Sequence, residues 1–195
     1  MSRSTEPHCR IEGTVAPGFE SVRQLYEHKM RTLAEKCTQL CVYYAGEKVV
    51  DLWGSVTDEP GFSPDSLVNV FSSGKSLEAI AIASLVGKGL IRYDARISSY
   101  WPEFAGQGKA ELTVAELMRH EAGLASFSRS MEPDDLLTEN IKQNKVGEFI
   151  EDHAQIFRLG QENRREYHAV TRGWIVNELF RRVDPAGRTI GEFLR

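Results

Sequence analysis

Ser72 and Lys75 stand three residues apart in the run Asn69-Val-Phe-Ser-Ser-Gly-Lys-Ser-Leu77. A serine hydroxyl is a weak nucleophile until a neighbouring base takes its proton, and a lysine amine serves as that base when desolvation or nearby positive charge lowers its pKa. Residues three apart share one face of a helix, so a helix opening here sets the amine beside the hydroxyl. The helix N-terminus also favours negative charge and would help hold an oxyanion formed there. The chemistry this suits is acyl transfer. So short a pair also arises by chance. The alternative is that Ser72 or Ser73 caps the helix and Lys75 points into water. Its place at a loop-to-helix junction, ahead of an apolar helix, favours the chemical reading.

Two other motifs overlap Ser72 and Lys75 and fail, as do two metal-site patterns elsewhere in the chain. Gly74-Lys75-Ser76 is the tail of a phosphate-binding loop, but the first glycine of that loop would fall at Asn69. The nucleophile elbow Gly-x-Ser-x-Gly fits Ser72 and Gly74 but meets Val70 where it needs glycine. His120-Glu121 opens a zinc-protease motif that meets Leu124 instead of its second histidine. Cys37 and Cys41 are four apart, with no further Cys or His pair to complete a zinc site, and read as small buried hydrophobes. No metal or organic cofactor is expected.

Composition sets outer bounds. The chain has 195 residues, about one domain, with a formal net charge of −4 from 24 basic and 28 acidic residues, which argues against a nucleic-acid partner. The basic pairs Arg164-Arg165 and Arg181-Arg182 read as solvated surface. Three cysteines, and a polar Met1–Arg10 with no apolar core, lead to the expectation of a cytoplasmic protein with reduced thiols. No run approaches the ~18 apolar residues of a membrane span, so no membrane partner is expected.

The elements that must position Ser72 and Lys75 follow from periodicity. Residues 1–18, with Gly13, Pro17 and Gly18, read as an irregular lead-in. Val22, Leu25, Tyr26, Met30 and Leu33 form a helical stripe over Ser21–Lys36. Gln39–Tyr44 and Lys48–Trp53 read as strands joined by a turn at Ala45-Gly46-Glu47. Asp58–Ser66, holding Pro60, Gly61 and Pro64, reads as a loop. After Lys75, Leu77, Ile80, Ala81, Ser84 and Leu85 recur at helical steps, and the helix reads as central and buried until Gly87 and Gly89 end it. Tyr93–Ala110 reads mostly as loop. Thr113 with Glu116 has capping-box spacing for a short helix to His120. Helices are expected over Asp134–Glu151 and Val170–Val183, the latter stopped by Pro185, and Thr189–Arg195 begins another.

The chain resembles the serine β-lactamase-related superfamily: class C β-lactamases, penicillin-binding proteins and family VIII esterases. Besides the run at Ser72, Val50-Asp-Leu-Trp-Gly54 resembles the strand that precedes the nucleophile. Leu117-Met-Arg-His-Glu-Ala-Gly-Leu124 resembles the segment Leu-Leu-Thr-His-Thr-Ser-Gly-Leu. Glu166-Tyr-His-Ala-Val-Thr-Arg-Gly-Trp174 resembles the tyrosine motif, and Gly191-Glu-Phe-Leu194 the segment after its helix. The likeness covers about residues 20–195.

The resemblance implies an α/β fold of the β-lactamase/transpeptidase type, an antiparallel sheet plus a helical subdomain. It implies Ser72 as nucleophile, Lys75 as the group assisting proton removal, and Tyr167 as the proton relay. Taken alone, Tyr167 reads as a core aromatic at a helix start. Beside a cationic Lys75 its phenol becomes a usable base, since positive charge favours the phenolate. Tyr167-His168-Ala169 lacks the asparagine often found two residues after the tyrosine, which points toward an esterase-like member acting on a small ester or amide. His168 itself reads as a surface residue.

The late-strand Lys-Thr-Gly or His-Thr-Gly motif, which supplies one oxyanion donor, is not in the sequence. The expectation is therefore one incomplete domain over 1–195, lacking the C-terminal strands and impaired in turnover, since one lost donor costs ~100- to 1000-fold. It divides into a lead-in (1–18), a helix with the first two strands (19–56), and a nucleophile loop with a mainly helical region (57–195). The competing reading is a non-catalytic scaffold, self-associating through an exposed sheet edge.

Overall fold

The structure, a computed structural model, describes residues 9–57, 61–157 and 165–195. What was expected of residues 1–8, of 58–60 in the loop and of Arg164 lies outside the described residues. The chain divides into two compact units, Met1–Asn69 and Val70–Arg195.

The first unit is a sheet with one helix. Strands β1 (Arg10–Val15), β2 (Cys37–Tyr44) and β3 (Glu47–Ser55) pair antiparallel in the order β1-β3-β2, and α1 (Glu20–Thr32) follows β1. β2 and β3 meet at Ala45 and Gly46, both at positive φ (49° and 85°), a backbone twist that suits a tight hairpin. Val49, Val50 and Leu52 of β3 form the buried centre, covered by Phe19, Val22 and Tyr26. Tyr26 Oη donates to the Thr38 carbonyl at 3.0 Å, which satisfies its polar tip against the sheet.

Two expectations for this unit are corrected. Residues 10–15 are not an irregular lead-in. They pair along their whole length with β3, from Arg10 opposite Ser55 to Val15 opposite Val50. The strand shows no apolar alternation because only Ile11 and Val15 are even partly buried, and its order comes from backbone pairing with a segment about forty residues away. Gly13, named within that lead-in, sits at φ +105° where a Cβ would lie 2.0 Å from the Asp51 carbonyl oxygen. Cys37 and Cys41 are not small buried hydrophobes: Cys37 is partly buried and Cys41 is exposed on β2, at an edge of the described sheet.

The second unit is helical. Its elements are α2 (Lys75–Gly87), α3 (Val114–Met118), α4 (Thr138–Lys142), α5 (Lys145–Glu151), α6 (Thr171–Val183) and α7 (Ile190–Phe193), with short 3-10 turns at Phe71–Gly74, Ile97–Ser99, Pro102–Gly108 and Pro133–Leu136. α2 and α6 pack on one core through Ala81, Ile82 and Leu85 of the first and Ile175, Val176, Leu179 and Phe180 of the second. Thr113 caps α3 through a capping box with Glu116, as the spacing predicts, and Thr189 with Glu192 does the same for α7.

Here too three expectations change. α2 is buried on one face only, since Leu77 and Ile80 are 46% and 58% exposed. The helix expected over Asp134–Glu151 breaks into a 3-10 turn, α4 and α5, because Pro133 opens a separate turn and Asn144 takes a left-handed conformation (φ 69°) between the helices. Arg181 and Arg182 are not solvated surface. They clasp the fully buried Glu178, with Arg181 Nη2 at 2.7 Å and Arg182 Nη1 at 2.6 Å from its Oε2, so the burial of one carboxylate is offset by two charged donors.

Candidate active site

Ser72 lies in the 3-10 turn that runs directly into α2, and the Lys75 N–H donates back to the Ser72 and Ser73 carbonyls. Phe71, just before the serine, is held at φ 45°, a left-handed conformation unusual for a residue with a side chain. Lys75 Nζ donates to Ser72 Oγ at 3.3 Å and to the Ala169 carbonyl at 2.6 Å. Tyr167 Oη is 2.6 Å from Ser72 Oγ. The three residues singled out from the sequence thus meet at one oxygen, although Tyr167 stands 95 positions from Ser72.

Tyr167 is not a core aromatic. It is 54% exposed on the segment leading into α6. Its phenol is held below the ordinary value, chiefly by the hydrogen bond to Ser72 and further by Lys75, whose Nζ lies 5.2 Å from the ring centroid.

Behind these residues is a layer that sequence patterns did not reveal. Arg172, buried in α6, forms an ion pair with Glu78 at 3.0 Å and donates to the carbonyls of Lys75 and Met118, each at 3.2 Å. It therefore ties α6 to α2 at the lysine itself. Gly173 leaves room for the carboxylate, since a Cβ there would sit 3.0 Å from Glu78 Oε1. Arg172 and Glu78 stand 94 positions apart, and their pairing carries no signal in one sequence, because only the packing of α2 on α6 makes them partners.

His168 is fully buried rather than on the surface. Its Nε2 accepts from the Leu124 N–H at 2.9 Å and its Nδ1 lies 2.6 Å from the Glu166 carbonyl, a pattern that fits the neutral ring with its proton on Nδ1. Burial lowers its pKa in the same sense. Thr171 Oγ1 donates to the Leu124 carbonyl at 2.6 Å, and Arg165 pairs with Glu121 at 2.5 Å. The segments 120–124 and 165–171 are thereby stitched together along their length.

Phe71, Ser72, Lys75, Val170, Trp174 and Ile190 are among the residues lining a cleft of about 570 Å³. Its walls are largely apolar, with a polar corner at Ser72 and Lys75. Among the described residues no group of three or more His, Cys, Asp or Glu side chains is placed to hold a metal. Among them, too, no helix is long and apolar enough to cross a membrane.

Comparison with known proteins extends the resemblance. The chain is 34% identical over 177 residues to the esterase/beta-lactamase LipL of Mycobacterium tuberculosis, an alignment covering 89% of this chain and 39% of that protein. Its fold matches the crystal structure of a penicillin-binding protein homologue from Caulobacter crescentus at a TM-score of 0.83 with 34% identity, covering 95% of this chain and 49% of the other. It matches a family VIII carboxylesterase at a TM-score of 0.80 with 33% identity, covering 94% and 49%. The chain thus spans half or less of the length of these relatives and shares their β-lactamase/transpeptidase-like fold over that span. The sequence model of the family described as Beta-lactamase matches residues 22–195, nearly the whole chain, and on that match the chain belongs to the beta-lactamase family.

Proposed function

We propose that the chain is the part of a serine hydrolase that carries the nucleophile, acting by acyl transfer on a small ester or amide. The observation that carries this reading is the convergence on Ser72 Oγ of Tyr167 Oη at 2.6 Å and Lys75 Nζ at 3.3 Å. In the proposed cycle the Tyr167 phenolate, kept accessible by its lowered pKa, takes the Ser72 proton as Oγ attacks the substrate carbonyl. The Ser72 backbone N–H, at the start of the helix, donates to the oxyanion. Collapse of the tetrahedral species expels the alcohol or amine, which takes the proton back from Tyr167. Water, deprotonated in turn by Tyr167, attacks the acyl carbonyl, and as the acid leaves the proton passes from Tyr167 to Ser72 Oγ, restoring both groups. Lys75 bridges Ser72 and the Ala169 carbonyl and stands beside the phenolate.

An ester substrate is favoured over a β-lactam because Ala169 stands where an amide-binding asparagine is often found, and because Val170, Trp174 and Ile190 make the cleft wall apolar. The family VIII carboxylesterase among the relatives supports that direction. The test is intact-protein mass after exposure to a fluorophosphonate, which reads acylation-type reactivity without requiring turnover. One stoichiometric adduct, lost in Ser72→Ala, is expected. A folded chain that takes no adduct sinks the proposal and leaves the scaffold reading.

A further inference from the structure

We propose that His120 is a positioning residue that holds Tyr167 on Ser72 by gripping the backbone on both sides of the tyrosine. The inference rests on the serine hydrolase reading above. The His120 carbonyl accepts the Glu166 N–H at 3.2 Å, and its Nδ1 accepts the His168 N–H at 2.9 Å. Its ring packs on the Tyr167 ring, with centroids 5.0 Å apart. Tyr167 is thus fixed by the residue before it, by the residue after it and on its own face, all from one side chain and its carbonyl.

The backbone conformation of His120 points the same way. It follows the C-cap of α3, with its own N–H bonded to the Leu117 carbonyl at 3.1 Å and the Glu121 N–H bonded to the Glu116 carbonyl at 2.8 Å. That is the Schellman ending, whose left-handed position is usually glycine. His120 occupies it at φ 64°. A histidine there costs the helix end conformational strain that glycine would avoid, and the ring's grip on the tyrosine segment is what the strain sustains.

The protonation state is consistent with the grip. The backbone N–H of His168 cannot give up its proton, so Nδ1 must be the acceptor and the neutral ring carries its proton on Nε2. Arg172, whose Nη1 donates to the Met118 carbonyl and lies 3.3 Å from Nε2, opposes a second proton on the ring through its charge. Burial first, and then Arg172, His168, Lys75 and Arg165, depress the His120 pKa to about 4, so the acceptor stays free across the neutral range.

The test uses three variants of the chain, each checked for folding by circular dichroism and thermal melting. His120→Gly keeps the left-handed backbone and the carbonyl but loses the ring. His120→Asn tolerates the backbone and puts Oδ1 where Nδ1 stood. His120→Gln reaches instead toward the place of Nε2. Two readouts are taken: the rate of Ser72 modification by the fluorophosphonate across pH, and the ionisation of Tyr167 followed by carbon-13 tyrosine resonances, assigned with Tyr167→Phe. In His120→Gly, modification is expected to slow about 100-fold, the cost of an ångström-scale misplacement. The Tyr167 ionisation should rise toward that of an ordinary phenol while the melting temperature holds. His120→Asn is expected to recover most of both, and His120→Gln neither. A His120→Gly chain that reacts at the wild-type rate with Tyr167 unmoved overturns the proposal, as does a His120→Asn chain as slow as a folded His120→Gly. If glycine unfolds the chain, the Asn and Gln variants still decide it, and equal rates in those two overturn it. Should the wild-type chain itself take no adduct, the hydrolase reading fails, while the Tyr167 ionisation still reports whether His120 positions the ring.

Discussion

At Ser72 Oγ two donors compete for one nucleophile, and their distances assign their parts. Tyr167 is the closer at 2.6 Å, while Lys75 at 3.3 Å spends its shorter bond, 2.6 Å, on the Ala169 carbonyl. The lysine is therefore better placed to fix the 167–169 segment and supply charge than to shuttle the proton. Tyr167→Phe removes the relay without disturbing packing, because the ring is half exposed. Fluorophosphonate labelling of Ser72 is expected to fall ~10²- to 10⁴-fold, the usual worth of general base catalysis. In the parent chain the labelling rate should climb with pH as the phenol loses its proton, over a range below the ordinary phenol value because the Tyr167 pKa is lowered. The limb should vanish in the variant. A variant that labels at the parent rate would hand the base role to Lys75.

At the scale of elements, the strand β1 depends on a single close approach. Gly13 lies opposite Leu52 of β3 with φ +105°, and an added Cβ would fall 2.0 Å from the Asp51 oxygen, a backbone atom that cannot swing away. Gly13→Ala is therefore expected to destabilise the sheet by about 1–3 kcal/mol, the range for a strained backbone conformation. Gly87→Ala is the control, since nothing lies within 4 Å of where its Cβ would stand and this last residue of α2 is not at positive φ. It should be neutral or stabilising by up to about 1 kcal/mol. Urea unfolding of both variants compares them, and equal midpoints would mean that β1 is not held by this contact.

At the scale of the whole molecule, desolvated histidines and paired carboxylates tie stability to pH in two windows. His120 has a folded pKa of about 4 against the ordinary 6.5, and His168 is lowered as well. Between those values the unfolded chain takes up protons that the folded chain refuses, so stability falls as pH drops from 6.5 toward 4. Asp184 and Glu192, each at about 2, are held down mainly by Arg188 and Lys142 respectively. Their contribution is present above the ordinary carboxylate range and is lost as pH falls through about 2. Thermal melting from pH 8 to pH 2.5 should show a plateau above about 6.5 and then these two successive declines, with His120→Asn flattening the first. A melting temperature constant from pH 7 to pH 4.5 would contradict the assignment of His120 and His168 as neutral in the folded chain.

Short-range order was legible in the sequence. The helices after Ser21, Lys75 and Val170, the Ala45-Gly46 turn and the Thr113 capping box are local matters of period, left-handed turn residues and side chains that reach their own backbone. Ser72 and Lys75 were legible for the same reason, being three apart on one helical face. Tyr167 could be read only through resemblance, because nothing local brings position 167 to position 72. The tertiary structure alone decided what depends on distant backbone and buried charge. It made Arg10–Val15 a strand by pairing it with β3. It turned Arg181 and Arg182 inward to the carboxylate of Glu178, and it placed His120 and Arg172 behind the tyrosine and the lysine. Hydrophobic period records which face of an element is apolar. It carries no record of which polar side chain the neighbouring element will require, and at this site that requirement sets the geometry.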